Sequence, residues 1–242
     1  MSSNNEELYS FGGLNEAIES MIVCGIIFTH NSSDRIENIV LRARAVLEPD
    51  IYVMDNESTD DTLKKAAGAG ARILGSAKEG SSRVLQALEQ VHELEYTHAI
   101  LLNANNDTHR PEMIPMFVSA FWNSPQTIFV ASSKQKGRAS VTHALLTASA
   151  MCSIRDAWNS FRGYPIEDVL ALHCVEKDAL FDAETLVRAS WAGLATRHLE
   201  LDASCPVESQ MGNSRDAIWF SLKLLGRSVV RYPSLLKRRL TL

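Results

Sequence analysis

The sequence predicts an α/β protein with a Rossmann-like, mostly parallel sheet and helices on both faces. Apolar runs with little polar alternation recur along the first half, as parallel strands covered on both sides require. Segments with a helical apolar period separate those runs. The runs also end in polar clusters, Thr29-His30-Asn31, Asp55-Asn56 and Asn103-Ala104-Asn105-Asn106-Asp107. An open α/β sheet binds its ligands just past the carboxyl ends of its strands, so three such clusters on one edge outline a ligand crevice.

Residues 1–20 read as a polar lead-in. The first strand is Met21 to Phe28, and a helix follows over Arg35 to Leu47, with Ile36, Ile39, Val40 and Ala43 at helical spacing. Pro49-Asp50 ends it. Ile51 to Met54 is the second strand; a helix capped by Ser58 or Thr59 with Asp61 then runs through Ala67. Ala71 to Leu74 is a short third strand, Ser81 to Glu93 a third helix, and His98 to Leu102 a fourth strand. Right-handed crossovers turn this alternation into a doubly wound sheet. Beyond it, Pro111 to Trp122 reads as helix, Thr127 to Ala131 as strand and Ser132 to Arg138 as a basic loop with Lys134, Lys136 and Arg138. An Ala-rich helix over Ala139 to Ser153 precedes an irregular segment, Arg155 to Pro165. Ile166 to Leu172 and Glu184 to Ala192 are helical, and Ala195 to Ala203 is a strand. Asp216 to Leu236 reads as a basic amphipathic helix with a break near Pro233. The expected organisation is a lead-in over 1–20, one domain over 21–205 and a helical tail over 206–242.

Of the 242 residues, 45% are hydrophobic and 22% charged, the balance of a soluble globular domain. The formal net charge of -5 argues against general nucleic-acid binding, which leaves a basic footprint. The four cysteines are far apart and form no C-x-x-C pair, so reduced thiols are expected rather than zinc or a disulfide framework. The N-terminus lacks a basic-then-apolar signal pattern, and no apolar run reaches the roughly 18–20 residues that span a bilayer. The tail mixes Trp219, Phe220, Leu222, Leu224 and Leu225 with Lys223, Arg227, Arg231, Lys237, Arg238 and Arg239. That pattern fits contact with a membrane surface or a partner, or packing of its apolar face on the domain. The expected location is cytoplasmic, peripheral on the inner face of the membrane.

The motifs converge on a family. Phe28-Thr29-His30-Asn31 is similar to the T-Y-N-E opening of the family 2 glycosyltransferases, and Asp55-Asn56-Glu57-Ser58-Thr59-Asp60-Asp61-Thr62 resembles their D-[DN]-x-S-x-D-x-T. Arg155-Asp156 through Phe161-Arg162-Gly163-Tyr164-Pro165 is similar to D-x-x-S/C-G-F-R-x-Y, and Phe181 to Ala189 with Gly193 to F-x-x-E-x-L-x-R-x…G. The resemblance covers about residues 20–205 and is nearest to the bacterial dolichyl-phosphate mannosyl- and glucosyltransferase-like branch. It implies the GT-A nucleotide-sugar-binding fold and transfer of a sugar, with inversion, from a UDP- or GDP-sugar to a lipid-phosphate or other acceptor. The donor-binding residues it implies are Thr29, Asn31, Asp55, Asn56, Asn103, Asn105 and Arg162. Asp156 and Glu184 are the catalytic candidates, Asp156 as base or acceptor-site carboxylate.

One departure stands out. Where the family has D-x-D, this chain has Asn103-Ala104-Asn105. A divalent metal, Mg2+ or Mn2+, prefers charged oxygen ligands, and amides bring none. Asn105 and the nearby Asp107 are the metal candidates. The degenerate motif keeps a second reading open, a non-catalytic protein that binds a nucleotide sugar or a partner. A nucleotidyltransferase ranks below both, since a glycine-rich, lysine-bearing loop after the first strand is absent.

Overall fold

The computed structural model describes residues 21–47, 50–75, 82–133, 141–201 and 215–240. The basic loop residues Lys134, Lys136 and Arg138, and the lead-in, lie outside them. The described elements alternate as expected: β1 (Val23–Thr29), α1 (Ile36–Arg44), β2 (Ile51–Asp55), α2 (Thr62–Gly68), β3 (Arg72–Ile73), α3 (Arg83–Glu93) and β4 (His98–Asn103). A 3-10 turn at Pro111–Met113 leads into α4 (Ile114–Asn123), followed by β5 (Thr127–Ser133), α5 (Val141–Ala150), β6 (Arg162–Pro165), α6 (Ile166–Leu170), α7 (Asp178–Ala192), β7 (Ala195–Leu201) and α8 (Arg215–Leu240).

The strands form a seven-stranded sheet in the order β3-β2-β1-β4-β6-β5-β7. β1 pairs in parallel with β2 and β4, placing Thr29 beside Asp55 and Phe28 beside Asn103. The three polar strand ends therefore share one edge. The order reverses between β1 and β4, which is where an open α/β sheet leaves a crevice.

Each central strand is apolar on both sides because helices cover both. Cys24, Ile26, Tyr52, Met54, Ala99 and Leu101 face the side covered by α3 and α5–α8. Ile27, Ile51, Val53, Ile100 and Leu102 face α1, α2 and α4. This removes the period-2 alternation that would mark a half-exposed sheet.

Two elements differ from expectation. Within the segment read as irregular, Arg162–Pro165 forms β6, antiparallel to both β4 and β5. It escapes local patterning because it is four residues long and carries Gly163 and Pro165, both poor strand formers. Gly163 is there for packing: a Cβ would lie 2.7 Å from Phe121 Cζ and 2.8 Å from Phe117 Cδ1. The second is α8, which continues past Pro233 without a break. Its first half packs into the domain, with Phe220 and Leu224 in the same core as α5 and α7.

Candidate active site

The cavity at the β1/β4 switch point has a volume of about 260 Å³. Its walls include Thr29 and His30 from the end of β1, Asn56 from the turn after β2, Asn103 and Asn105 from the end of β4, and Arg83 from the start of α3. Trp158, Ser160 and Asp182 close the remaining side.

The turns after β1, β2 and β4 are bonded to one another across long sequence distances. Asn31 turns the chain in the left-handed region at φ +46°, a conformation asparagine tolerates. Its N–H donates to Ser58 Oγ at 2.8 Å, and its Oδ1 accepts the Thr59 N–H at 2.9 Å. Ser32 N–H donates to Thr62 Oγ1 at 2.8 Å. The His30 imidazole donates through Nδ1 to Asn56 O at 2.6 Å. Asp55 folds back on its own turn, accepting the Ser58 N–H at 2.8 Å and the Ser58 hydroxyl at 2.5 Å. The helix start after this turn is held by Asp60 rather than Asp61. The Thr62 hydroxyl and N–H and Ser33 donate to Asp60, which holds its carboxyl down at about 2.

Thr29 is the exception in this network. Its Oγ1 is buried on the cavity wall and has no hydrogen-bond partner among the described residues. A buried hydroxyl without a partner is costly, so a ligand that supplies one is favoured there.

Behind the cavity, Asn103 N–H donates to His109 Nδ1 at 2.9 Å. His109 must therefore be neutral at that nitrogen. Burial pushes its pKa down to about 3.

Of the expected site residues, Asn31, Asp55, Asp107, Asp156, Arg162 and Glu184 are not among those lining this cavity. Arg162 does not line the cavity. It is fully buried, and its guanidinium donates to the backbone carbonyls of Asn159 (2.6 Å), Ala157 (2.7 Å) and Asp182 (2.6 Å), with the Asp182 carboxylate at 3.7 Å. Glu184 is also fully buried and does not line the cavity. It accepts the Val175 and Glu176 N–H groups at 2.8 Å each and pairs with Arg188 at 2.7 Å, which anchors the loop before α7. Asp107 does not converge with Asn105. It is exposed, pairs with Arg35 at 2.7 Å, and lines a separate cavity of about 460 Å³ beside α1.

Asp156 sits at φ +48°, accepting the Ser132 hydroxyl. Arg155 donates to the same hydroxyl at 3.2 Å. His198 of β7 is held below its usual range by burial, and Asp156 opposes that shift. Arg83 and Asp182 were not singled out by sequence. Arg83 reads there as an ordinary helix residue, and Asp182 sits in a motif whose eye-catching acid is Glu184.

The donor set does not fit a divalent cation. Among the described residues no group of three or more His, Cys, Asp or Glu is placed to hold one. Asn103 Oδ1 accepts the Asn105 N–H at 2.9 Å, and the Asn105 amide is paired with the His30 peptide.

No protein-family model matches this chain, and no curated protein is similar to it in sequence. Solved structures are similar in fold. The Mycobacterium tuberculosis glucosyl-3-phosphoglycerate synthase superposes with a TM-score of 0.66 at 14% identity, covering 91% of this chain and 84% of that one. The same enzyme in complex with Mn2+, UDP-glucose and phosphoglyceric acid gives 0.67 at 16% identity, covering 89% and 83%. A mycobacterial protein gives 0.64 at 17% identity, covering 78% and 68%. This chain has the GT-A fold of these glycosyltransferase neighbours.

Proposed function

We propose that the chain is a glycosyltransferase that takes a sugar from a nucleoside diphosphate donor. The observation that carries this reading is the switch-point cavity, built on a GT-A sheet and walled by a buried hydroxyl without a partner, amides and one arginine. In this reading Thr29, Asn31, Asp55 and Asn56 serve the nucleoside, since the two oxygens of Asp55 each keep a lone pair beyond their bond to Ser58. Displacement at the anomeric carbon builds negative charge on the departing diphosphate. Arg83 and the N-terminal N–H groups of α3 supply the positive end that offsets it.

The acceptor enters against Trp158, Ser160 and Asp182. Asp156, two residues before Trp158, is the proposed acceptor-side carboxylate; a hydroxyl acceptor needs such a base, whereas a phosphate acceptor is already a nucleophile. The transfer is read as a single inverting displacement. Asp182, the carboxylate on the cavity wall, is nearly inaccessible and held beside Arg162, which makes it a poor nucleophile.

A lipid-linked acceptor is favoured by α8. One stripe, Ala217, Phe220, Ser221 and Leu224, is buried on the domain, while Trp219 stands 73% exposed beside Leu222 and Arg227; Lys223 pairs with Glu176 at 2.8 Å. Such a face suits an anionic membrane surface, with the enzyme peripheral on the cytoplasmic side. No helix among the described residues is long and apolar enough to cross a membrane.

The deciding experiment offers the protein a panel of UDP- and GDP-sugars, UDP-glucose first, with phosphoglycerate and polyprenyl phosphate as acceptors, and reads both transfer and donor hydrolysis. Turnover with one donor is the expected result. Nucleotide binding without turnover on any combination points to the non-catalytic alternative instead.

A further inference from the structure

We propose that Asn103-Ala104-Asn105 is an amide clamp in the place of a metal site, and that the adjoining cavity binds its nucleotide without a divalent cation. The nucleotide half of this rests on the function proposed above; the clamp itself does not.

The clamp is built on the end of the β1–β4 ladder. The register runs out at Phe28 and Asn103, and Ala104 N–H donates to Phe28 O at 2.8 Å. The Asn105 side chain then adds one more rung beyond the strands. Its Oδ1 accepts the His30 N–H at 3.1 Å, and its Nδ2 donates to His30 O at 2.8 Å. The amide orientation is fixed by these partners, because a peptide N–H only donates and a carbonyl only accepts. Asn103 Oδ1 holds the Asn105 N–H at 2.9 Å, which shapes the turn that presents the amide.

A carboxylate at position 105 cannot do this. It has acceptors on both oxygens and no donor, so one oxygen would face the His30 carbonyl at the distance of a hydrogen bond. The oxygen that a cation would need is already directed at the His30 N–H. The clamp fixes the peptide that follows Thr29, whose hydroxyl is the cavity's open hydrogen-bonding group. It also steadies the His30 ring against Asn56. The same position thus serves the rigidity of the cavity rim instead of cation binding.

The test has two arms. In the first, the wild-type full chain is titrated with Mn2+ alone and with UDP, reading free Mn2+ by electron paramagnetic resonance, and UDP affinity is measured calorimetrically in chelator and in millimolar Mn2+. Mn2+ alone should not bind, and the UDP affinity should change by less than about twofold between the two conditions. Mn2+ binding to the protein alone, or UDP binding strengthened about tenfold or more by Mn2+, would overturn the proposal. Should UDP fail to bind in either condition, the donor-site reading falls, while Mn2+ alone and the second arm still decide the clamp.

The second arm melts Asn105→Asp and Asn105→Ala against wild type across pH. Asn105→Asp should lose about 4 °C or more at neutral pH and recover relative to wild type as pH falls. A protonated carboxyl regains the donor to His30 O, so its folded-state pKa lies above the unfolded one; that stability is present at low pH and lost as pH rises through the folded pKa. Asn105→Ala should lose stability without that recovery. Wild-type melting of Asn105→Asp at neutral pH, or Mn2+ binding gained by it, would show that the turn tolerates a cation site. If Asn105→Asp does not fold, Asn105→Ala and the first arm carry the decision.

Discussion

Asn105 and Arg162 both donate side-chain N–H groups to backbone carbonyls, yet they stand in opposite settings. Asn105 is a neutral amide on the rim of the cavity, joining chain segments 75 residues apart. Arg162 is a full charge with no exposed surface, surrounded by carbonyls at the β6–α7 crossing. On the rim, amides and hydroxyls, with the carboxylates of Asp55 and Asp60, hold the turns after β1, β2 and β4 together, so a polar ligand meets a preformed frame. In the interior, Arg162 with Asp182 and Glu184 with Arg188 are fixed charges that brace strands and a loop. Both regions lie within motifs of the same family resemblance. A polar residue in a motif therefore signals that a geometry is kept, and its hydrogen-bond partners decide whether that geometry serves ligand or core.

The strongest way to break this comparison is Arg162→Met. Removing one member of a buried pair leaves carbonyls and a carboxylate without a partner, at a cost of about 3–5 kcal/mol in denaturant unfolding. Were Arg162 a phosphate ligand, stability would hold and UDP affinity alone would fall. Glu184→Gln tests the second brace. An amide oxygen in the place of Oε2 keeps the acceptor for both N–H groups, but the oxygen and charge facing Arg188 are lost, for about 1–3 kcal/mol of destabilisation. Its kcat/KM per folded molecule should stay near wild type, and a loss of several orders of magnitude there would return Glu184 to the reaction.

His109 sharpens the comparison through pH. It is neutral in the fold down to about 3, whereas the unfolded chain takes up that proton near the ordinary histidine value. The unfolded state binds more protons in between, so stability falls as pH drops below that ordinary value. The slope from this residue is roughly 1.4 kcal/mol per pH unit. Replacing His109 with Gln should flatten the acid limb by one proton, as read from unfolding free energies at a series of pH values; an unchanged slope would mean His109 is protonated in the fold.

On the rim, Arg83→Ala should weaken UDP binding by about tenfold while leaving the melting temperature within a degree or two. Equal affinity in the variant would move the diphosphate away from the start of α3. The smallest effect is expected at α8. Trp219→Ala should reduce binding to vesicles containing phosphatidylglycerol by several-fold, with catalysis on a water-soluble acceptor unchanged. Vesicle binding at wild-type strength would leave that face without a lipid role.

How much was legible in advance varies by residue. The strand ends Thr29, Asn56 and Asn103 were identified from apolar runs followed by polar clusters, and they do line one cavity. Arg83 was not, because a helix-starting arginine looks the same whether it faces a ligand or water. Glu184 was assigned to the chemistry because its motif draws attention to the acid, while the cavity wall carries Asp182 two residues earlier. In α7 those two carboxylates point to different neighbours, which only packing against β6 and the loop before the helix determines.

The amino-acid sequence by itself determined the order and type of nearly all elements, and that three polar strand ends would share an edge. Those properties follow from local periodicity, since apolar spacing records which residues are covered. Tertiary structure alone decided that β6 enters antiparallel between β4 and β5, that Arg162 is enclosed, and that the Asn105 amide closes on His30. Each depends on a partner far along the chain, and no local pattern encodes the direction in which a polar side chain finds its hydrogen bonds.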